Sequence, residues 1–230
     1  MLGVVLSMIG IYRGLVEDAL ALARTPKADV WVVESGTHGP FAESSRIPGD
    51  TREAIARIRG VEAAGSVTYQ SVETRRAGGK LRLYVVGYEI GRPGGPDRIA
   101  AGRPIARSRY EMVADRRGGL SLGERVRLGR NTFRVVGLTE NQVSSGGDPV
   151  VYVTLRDSQE LQFELAPPAA RRRRASGAGE AETDTVNAVV ARATRRVGAQ
   201  EIADAIRRWK HLAALTQADQ ENILTRSVVE

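Results

Sequence analysis

Cysteine is missing from all 230 residues, histidine occurs twice, and aromatic residues make up 5% of the chain. Without cysteine, disulfides and thiolate metal sites are excluded, although this does not choose between compartments. The histidines, His38 and His211, stand in different segments. A metal site would have to gather both with carboxylates from across the fold, and no HExxH-type spacing is present. Single-stranded nucleic acid is gripped by interleaved aromatics and cations, and here the aromatics are too few and too dispersed. No GxSxG, GxxxxGK[ST] or GxGxxG string occurs, so a nucleophile elbow and a nucleotide cradle are unsupported. No apolar run reaches the length of a complete membrane helix.

Lysine is scarce as well. All but three of the 34 basic residues are arginine, and the net charge is +7. The arginines are scattered along the chain instead of lining one helix face. A coding bias toward G and C therefore accounts for them better than a surface for nucleic acid or anionic membrane does.

What the chain does have is an apolar start, MLGVVLSMIGIY, followed abruptly by the amphipathic RGLVEDALALAR. Twelve helical residues cover only about 18 Å, against the ~30 Å of a bilayer core. One reading is the end of a membrane span continuing as a stalk. The other is a signal peptide, with an AxA site at Ala19–Ala21 or Ala21–Ala23. The missing basic leader and the charges Arg13, Glu17 and Asp18 favour the first, and both put the bulk of the chain outside the cytoplasm.

Pattern along the chain predicts a helix over Met1–Arg24, ended at Thr25-Pro26. A strand is expected at Ala28–Glu34, a loop at Ser35–Gly49, and a helix capped by Asp50 with Glu53 as its capping-box partner. Strands follow at Val61–Thr74 and Lys80–Ile90. The run GRPGGP, Gly91–Pro96, reads as a boundary. Beyond it come a strand at Tyr110–Ala114, a hairpin turning at Gly129–Asn131, a strand at Val150–Leu155, and a helix capped by Asp157 and running to Phe163. Ala166–Asp184 is low in complexity and reads as a linker. Its four arginines, Arg171–Arg174, read as a solvated run. A strand at Val186–Ala193, a helix at Gly198–Trp209 and a strand at His211–Leu215 complete a split α/β unit. Thr216 and Asp219 form a second capping pattern, opening a last helix.

The expected architecture is therefore α+β. Residues 28–90 and 186–215 make a split ferredoxin-like α/β subdomain, and 91–165 an inserted β-rich one. Residues 166–185 link them, while 1–27 and 216–230 are membrane-proximal.

Candidate chemical residues stay isolated. Ser44-Ser45 has no paired base, and Glu17-Asp18 and Asp219/Glu221 are surface carboxylates with nothing nearby to raise a pKa. Trp31 and Trp209 read as core or interface anchors. No catalytic, cofactor-binding or metal-binding residue is assigned.

Five strings, in order, carry a resemblance: YRGLVEDAL, ADVWVVESGTHGPFAESSRIPGD, LSLGERVRLGRNTFRVVGL, DPVVYVTLRDSQELQF and TQADQENILTRSVVE. Together they resemble the extracytoplasmic (periplasmic core) domain of MacB/FtsX-like ABC transporter permeases, DevC-like members above all. The resemblance implies a Porter-like α/β part with an inserted Sabre-like part, set between the first two of four membrane helices. It implies a non-catalytic transporter subunit in the inner membrane with this domain in the periplasm. Its implied partners are an ABC ATPase, a membrane-fusion adaptor and a second permease copy, with no cofactor and no nucleic acid. The linker has no counterpart in that pattern. A secreted or membrane-anchored ligand-binding module is the alternative, and a hydrolase whose residues converge only in the fold comes third.

Overall fold

The apolar runs of the sequence become the middle strands of one large sheet in a computed structural model. It describes residues 28–37, 44–76, 79–107, 109–144, 146–169, 184–220 and 222. The helix expected at Met1–Arg24, His38, Arg171–Arg174, Glu221 and the end of the chain lie outside the described residues. In chain order the elements are β1 (Val30–Glu34), β2 (Ile47–Pro48), α1 (Thr51–Ala56), β3 (Val61–Arg76), β4 (Gly79–Tyr88), β5 (Ala101–Gly102), β6 (Glu111–Asp115), β7 (Arg125–Leu128), β8 (Asn131–Thr139) and β9 (Val150–Thr154). They continue with α2 (Leu155–Leu165), β10 (Thr185–Val186), β11 (Ala188–Ala193), α3 (Ala199–Arg207) and β12 (Leu212–Thr216).

The sheet runs β12-β1-β11-β3-β4-β9-β6-β8-β5, with β7 also on β8 and β2 pairing β10 apart. Its first four strands are antiparallel throughout. Helix α1 joins β1 to β3 across β11, and α3 joins β11 to β12 across β1. Taking these strands as first to fourth in chain order gives a spatial order of 4-1-3-2, that of a ferredoxin-like unit, and the strand expected within that unit at Lys80–Ile90 lies outside these four. Beyond β3 the sheet continues into β4, which pairs with β9 in parallel from Tyr84↔Val150 to Tyr88↔Thr154. The mixed α/β class is as expected. The run Gly91–Pro96 breaks strand structure but folds back on the sheet. A Cβ at Gly65 on β3 would lie 2.1 Å from the Pro93 carbonyl oxygen, so only glycine allows that approach.

Both faces of the middle strands are buried, which explains why they read as continuous apolar runs, while β7 and the start of β8 keep one exposed face. In β1, Val30 and Val32 face the helices, joining Ile55, Ile202 and Ile206 in one core. Trp31 and Val33 face the other way and pack with Val67, Tyr69 and Tyr152. A third core, under α2, holds Met112, Leu128, Phe133 and Leu161. Trp31 is fully buried, the core anchor its composition suggested.

Two caps differ from expectation. Asp50 has helical dihedrals and makes no side-chain bond to α1. Its backbone carbonyl accepts Glu53 N at 2.9 Å instead, so the capping box with Glu53 does not close. Helix α2 is capped by Thr154, whose Oγ1 accepts Asp157 N at 3.2 Å. Asp157 sits one turn in, and its Oδ2 accepts Tyr110 N at 3.1 Å. An extended Thr with a free hydroxyl suits the cap position, which leaves the carboxylate for the neighbouring loop.

Candidate functional site

The two ends of the described body meet on one strand pair. Strand β1 leads in and β12 leads out, antiparallel, in register from Val30↔Thr216 to Glu34↔Leu212. The beginning of the first strand and the end of the last are therefore neighbours. Both are anchored. Asp29 N donates to the Ala191 carbonyl at 2.9 Å, and the Asp29 carboxylate accepts Ala193 N at 2.7 Å. At the exit, the reciprocal cap expected between Thr216 and Asp219 forms. Asp219 N donates to Thr216 Oγ1 at 3.2 Å, and Thr216 N donates to Asp219 Oδ2 at 2.9 Å. Residues 217–220 are helical. Arg207 at the end of α3 reaches the same carboxylate at 2.7 Å and donates from Nε to the Ala214 carbonyl at 3.0 Å.

Burial works against ionisation of Asp219, but the Thr216 backbone and hydroxyl donors and the Arg207 guanidinium together hold its carboxyl below the ordinary range. The departing helix is thus tied by charge to α3 and by its cap to β12. A groove of about 480 Å³ follows β12 beside this tie, with Leu215, Asp219 and Asn222 in its wall.

The residues weighed as chemical candidates serve the frame. His211 is exposed, and its carbonyl accepts Ser35 N at 2.9 Å, closing the far end of the β1–β12 pair. Ser45 is fully buried; its hydroxyl accepts Glu34 N at 2.9 Å and its carbonyl accepts the Asn187 amide at 3.0 Å. Trp209 packs on the helix-side core. Among the described residues, no group of three or more His, Asp or Glu side chains could hold a metal ion. Among them, too, no helix is long and apolar enough to cross a membrane.

Sequence reading missed a gathering of charge at the other side of the sheet. Arg103, Arg107, Arg109, Arg125 and Arg134 line one cavity with Glu111. The arginines come from the β5–β6 loop and from two strands, so no single-element pattern could reveal them. Only the register Arg125↔Arg134 within the expected hairpin was within reach of the sequence.

Residues 2–209 match the family described as the MacB-like periplasmic core domain. An ABC transporter permease of Mycobacterium tuberculosis is 28% identical over 165 residues, covering 72% of this chain and 47% of that protein. Another, of Mycobacterium bovis, is 25% identical over 162 residues, covering 70% and 46%. The chain thus spans about half the length of the curated relatives it matches. Among solved structures, the periplasmic region of MacB from Actinobacillus actinomycetemcomitans aligns with a TM-score of 0.55 at 10% identity, covering 90% of this chain and 94% of that one. The extracellular domain of the transporter YknZ from Gram-positive bacteria aligns with a TM-score of 0.50 at 13% identity, covering 82% and 99%. At those identities the likeness is one of fold, and it agrees with the sequence match. The chain belongs to the family of MacB-like periplasmic core domains.

Proposed function

We propose that this chain is the extracytoplasmic domain of an ABC exporter permease, which transmits movement of membrane helices to an outer assembly. The observation that carries the reading is the β1–β12 pair, with Val30 beside Thr216. Two helices attached there would enter and leave the body side by side. Any change in their relative tilt would act on hydrogen-bonded strands and pass into the sheet as rotation of the whole, a hinge-type change. The Arg207–Asp219 tie couples the departing helix to α3, so bending at that joint is resisted.

In this reading ATP is hydrolysed by a separate ATPase inside the cell, and the permease works as two copies in the inner membrane. An adaptor docks on the outer surface, with the Porter-like and Sabre-like parts serving as lever and platform. The chain itself carries no bond-making chemistry.

The test is reconstitution of the complete transporter in vesicles. Replacing residues 28–215 by a short linker is expected to abolish export while ATP hydrolysis continues. Undiminished export would refute the proposal.

A further inference from the structure

The arginine-lined cavity lies where β6, β7 and β8 come together, and it has a volume of about 370 Å³. That is the scale of a small-ligand site. Its walls begin with a like-charge pair. Arg125 and Arg134 are direct partners across the antiparallel β7–β8 hairpin. Both are exposed, while Val126, Leu128 and Phe133 between them and Val135 beside them are buried. Like charges directly opposite on a sheet repel. Neither guanidinium has an ion pair or side-chain hydrogen bond with another described residue.

The one buried acid in the cavity cannot relieve them. Glu111 already accepts both forks of Arg103, at 3.0 and 2.5 Å, and the backbone N–H groups of Ala106 and Arg107, each at 3.0 Å. Arg109 lies over the Tyr110 ring, 5.8 Å from its centroid, and meets Glu160 only at 3.6 Å. Five guanidiniums against Glu111 and Glu160, with buried Asp157 also acting on Arg109, leave a surplus of at least two positive charges around one small volume.

The wall is also held in place. Tyr110 has a φ of 59°, a left-handed conformation that a bulky residue adopts only under constraint. The constraint is visible: Tyr110 N donates to buried Asp157, its carbonyl accepts Arg134 N at 2.9 Å, and its ring stands edge-on to Phe133 at 5.5 Å.

We infer that this cavity binds a phosphoryl group. Guanidinium forks match oxyanions in geometry as well as charge. A phosphate monoester brings close to two charges and three acceptor oxygens into a small volume, whereas a single carboxylate would leave part of the surplus in place. The phosphoryl group belongs either to a soluble molecule or to a lipid headgroup. The site does not depend on the export reading.

Calorimetry on the 230-residue chain tests it with inorganic phosphate, pyrophosphate, citrate and polyglutamate, each against chloride at matched ionic strength. Vesicles of phosphatidylcholine with and without phosphatidic acid, whose headgroup is a phosphate monoester, form the lipid arm. Pyrophosphate is expected to bind saturably, and at least about tenfold more weakly to the Arg125→Gln/Arg134→Gln variant. That variant should melt no lower than the parent in chloride alone. An Arg195→Gln/Arg196→Gln control makes the same charge change at two exposed positions elsewhere and should leave affinity unchanged. Should the hairpin variant fold poorly, Arg107→Gln, on an exposed loop residue, reads the same site. Binding to phosphatidic acid vesicles that the hairpin variant weakens and the control variant does not, in addition to pyrophosphate binding, assigns the headgroup; pyrophosphate alone assigns a soluble ligand. The inference is overturned if no phosphoryl probe binds beyond chloride. It is equally overturned if hairpin and control variants weaken binding alike, or if citrate or polyglutamate binds more tightly than pyrophosphate.

Discussion

Glu111 keeps its charge in a buried place because four donors converge on it. The Arg103 fork does most to hold its carboxyl down, at about 2 against an ordinary 4.5; burial opposes this, and two backbone N–H groups assist. The folded state therefore binds this proton more weakly than the unfolded chain. The resulting stability is complete above about pH 4.5 and is lost as pH falls toward about 2. Glu111→Gln is expected to cost about 2 kcal/mol at neutral pH and to flatten that acid limb in thermal melts. Asp157 has the opposite sign: burial raises its carboxyl, and Oδ1 has no hydrogen-bond partner among the described residues. Its contribution is present at low pH and is lost as pH rises through the raised value. Asp157→Asn, which can still accept from Tyr110 N, should therefore exceed the parent's stability at pH 8, by a margin that shrinks toward zero in acid. Neither residue announces itself in the sequence. Glu111 reads as one more strand position, and Asp157 reads as a helix cap until Thr154 is seen to take that role.

At the level of elements, strand β4 meets helix α2 through a missing side chain. A Cβ at Gly87 would lie 2.3 Å from Ser158 Cβ and from Thr68 Oγ1. Those two side chains are hydrogen-bonded to each other at 2.8 Å, and Gln70 adds a bond to Ser158 Oγ at 3.0 Å. Gly87→Ala must push this buried network apart and should lower stability by about 1–3 kcal/mol in urea unfolding. Thr216→Val removes one half of the exit cap, at about 1 kcal/mol. Its effect should appear as faster hydrogen exchange confined to residues 217–220. Elements with their own local signal were legible: β1, β3, β4, β9, α3 and the β7–β8 hairpin all fall within two residues of their expected limits, β3 by overrunning its far end. That strand runs on through Arg75 and Arg76, because Lys80 and Gly79 pair with them in a ladder that hydrophobicity does not mark. The two-residue strands β2 and β10 were not legible. They exist only because each satisfies the other, across a large separation in sequence.

For the molecule as a whole, the order of strands was the least legible feature. The parallel contact of β4 with β9 depends on segments that share no turn, and periodicity cannot choose a neighbour for a strand buried on both faces. The meeting of β1 with β12 is open to direct measurement because the chain has no cysteine of its own. Val30→Cys with Thr216→Cys places two thiols at directly paired positions, where backbone spacing suits a disulfide. Oxidation should be near complete and should raise unfolding stability by about 2–4 kcal/mol. Failure to cross-link in the intact transporter would separate the ends and remove the basis for side-by-side attachment. The same adjacency makes the body portable. A fold whose inlet and outlet share one seam asks little of its host: any two neighbouring helices of opposite sense offer a socket for it. Such a cassette can be grafted, exchanged or enlarged at its distant margin without re-registering the scaffold that carries it.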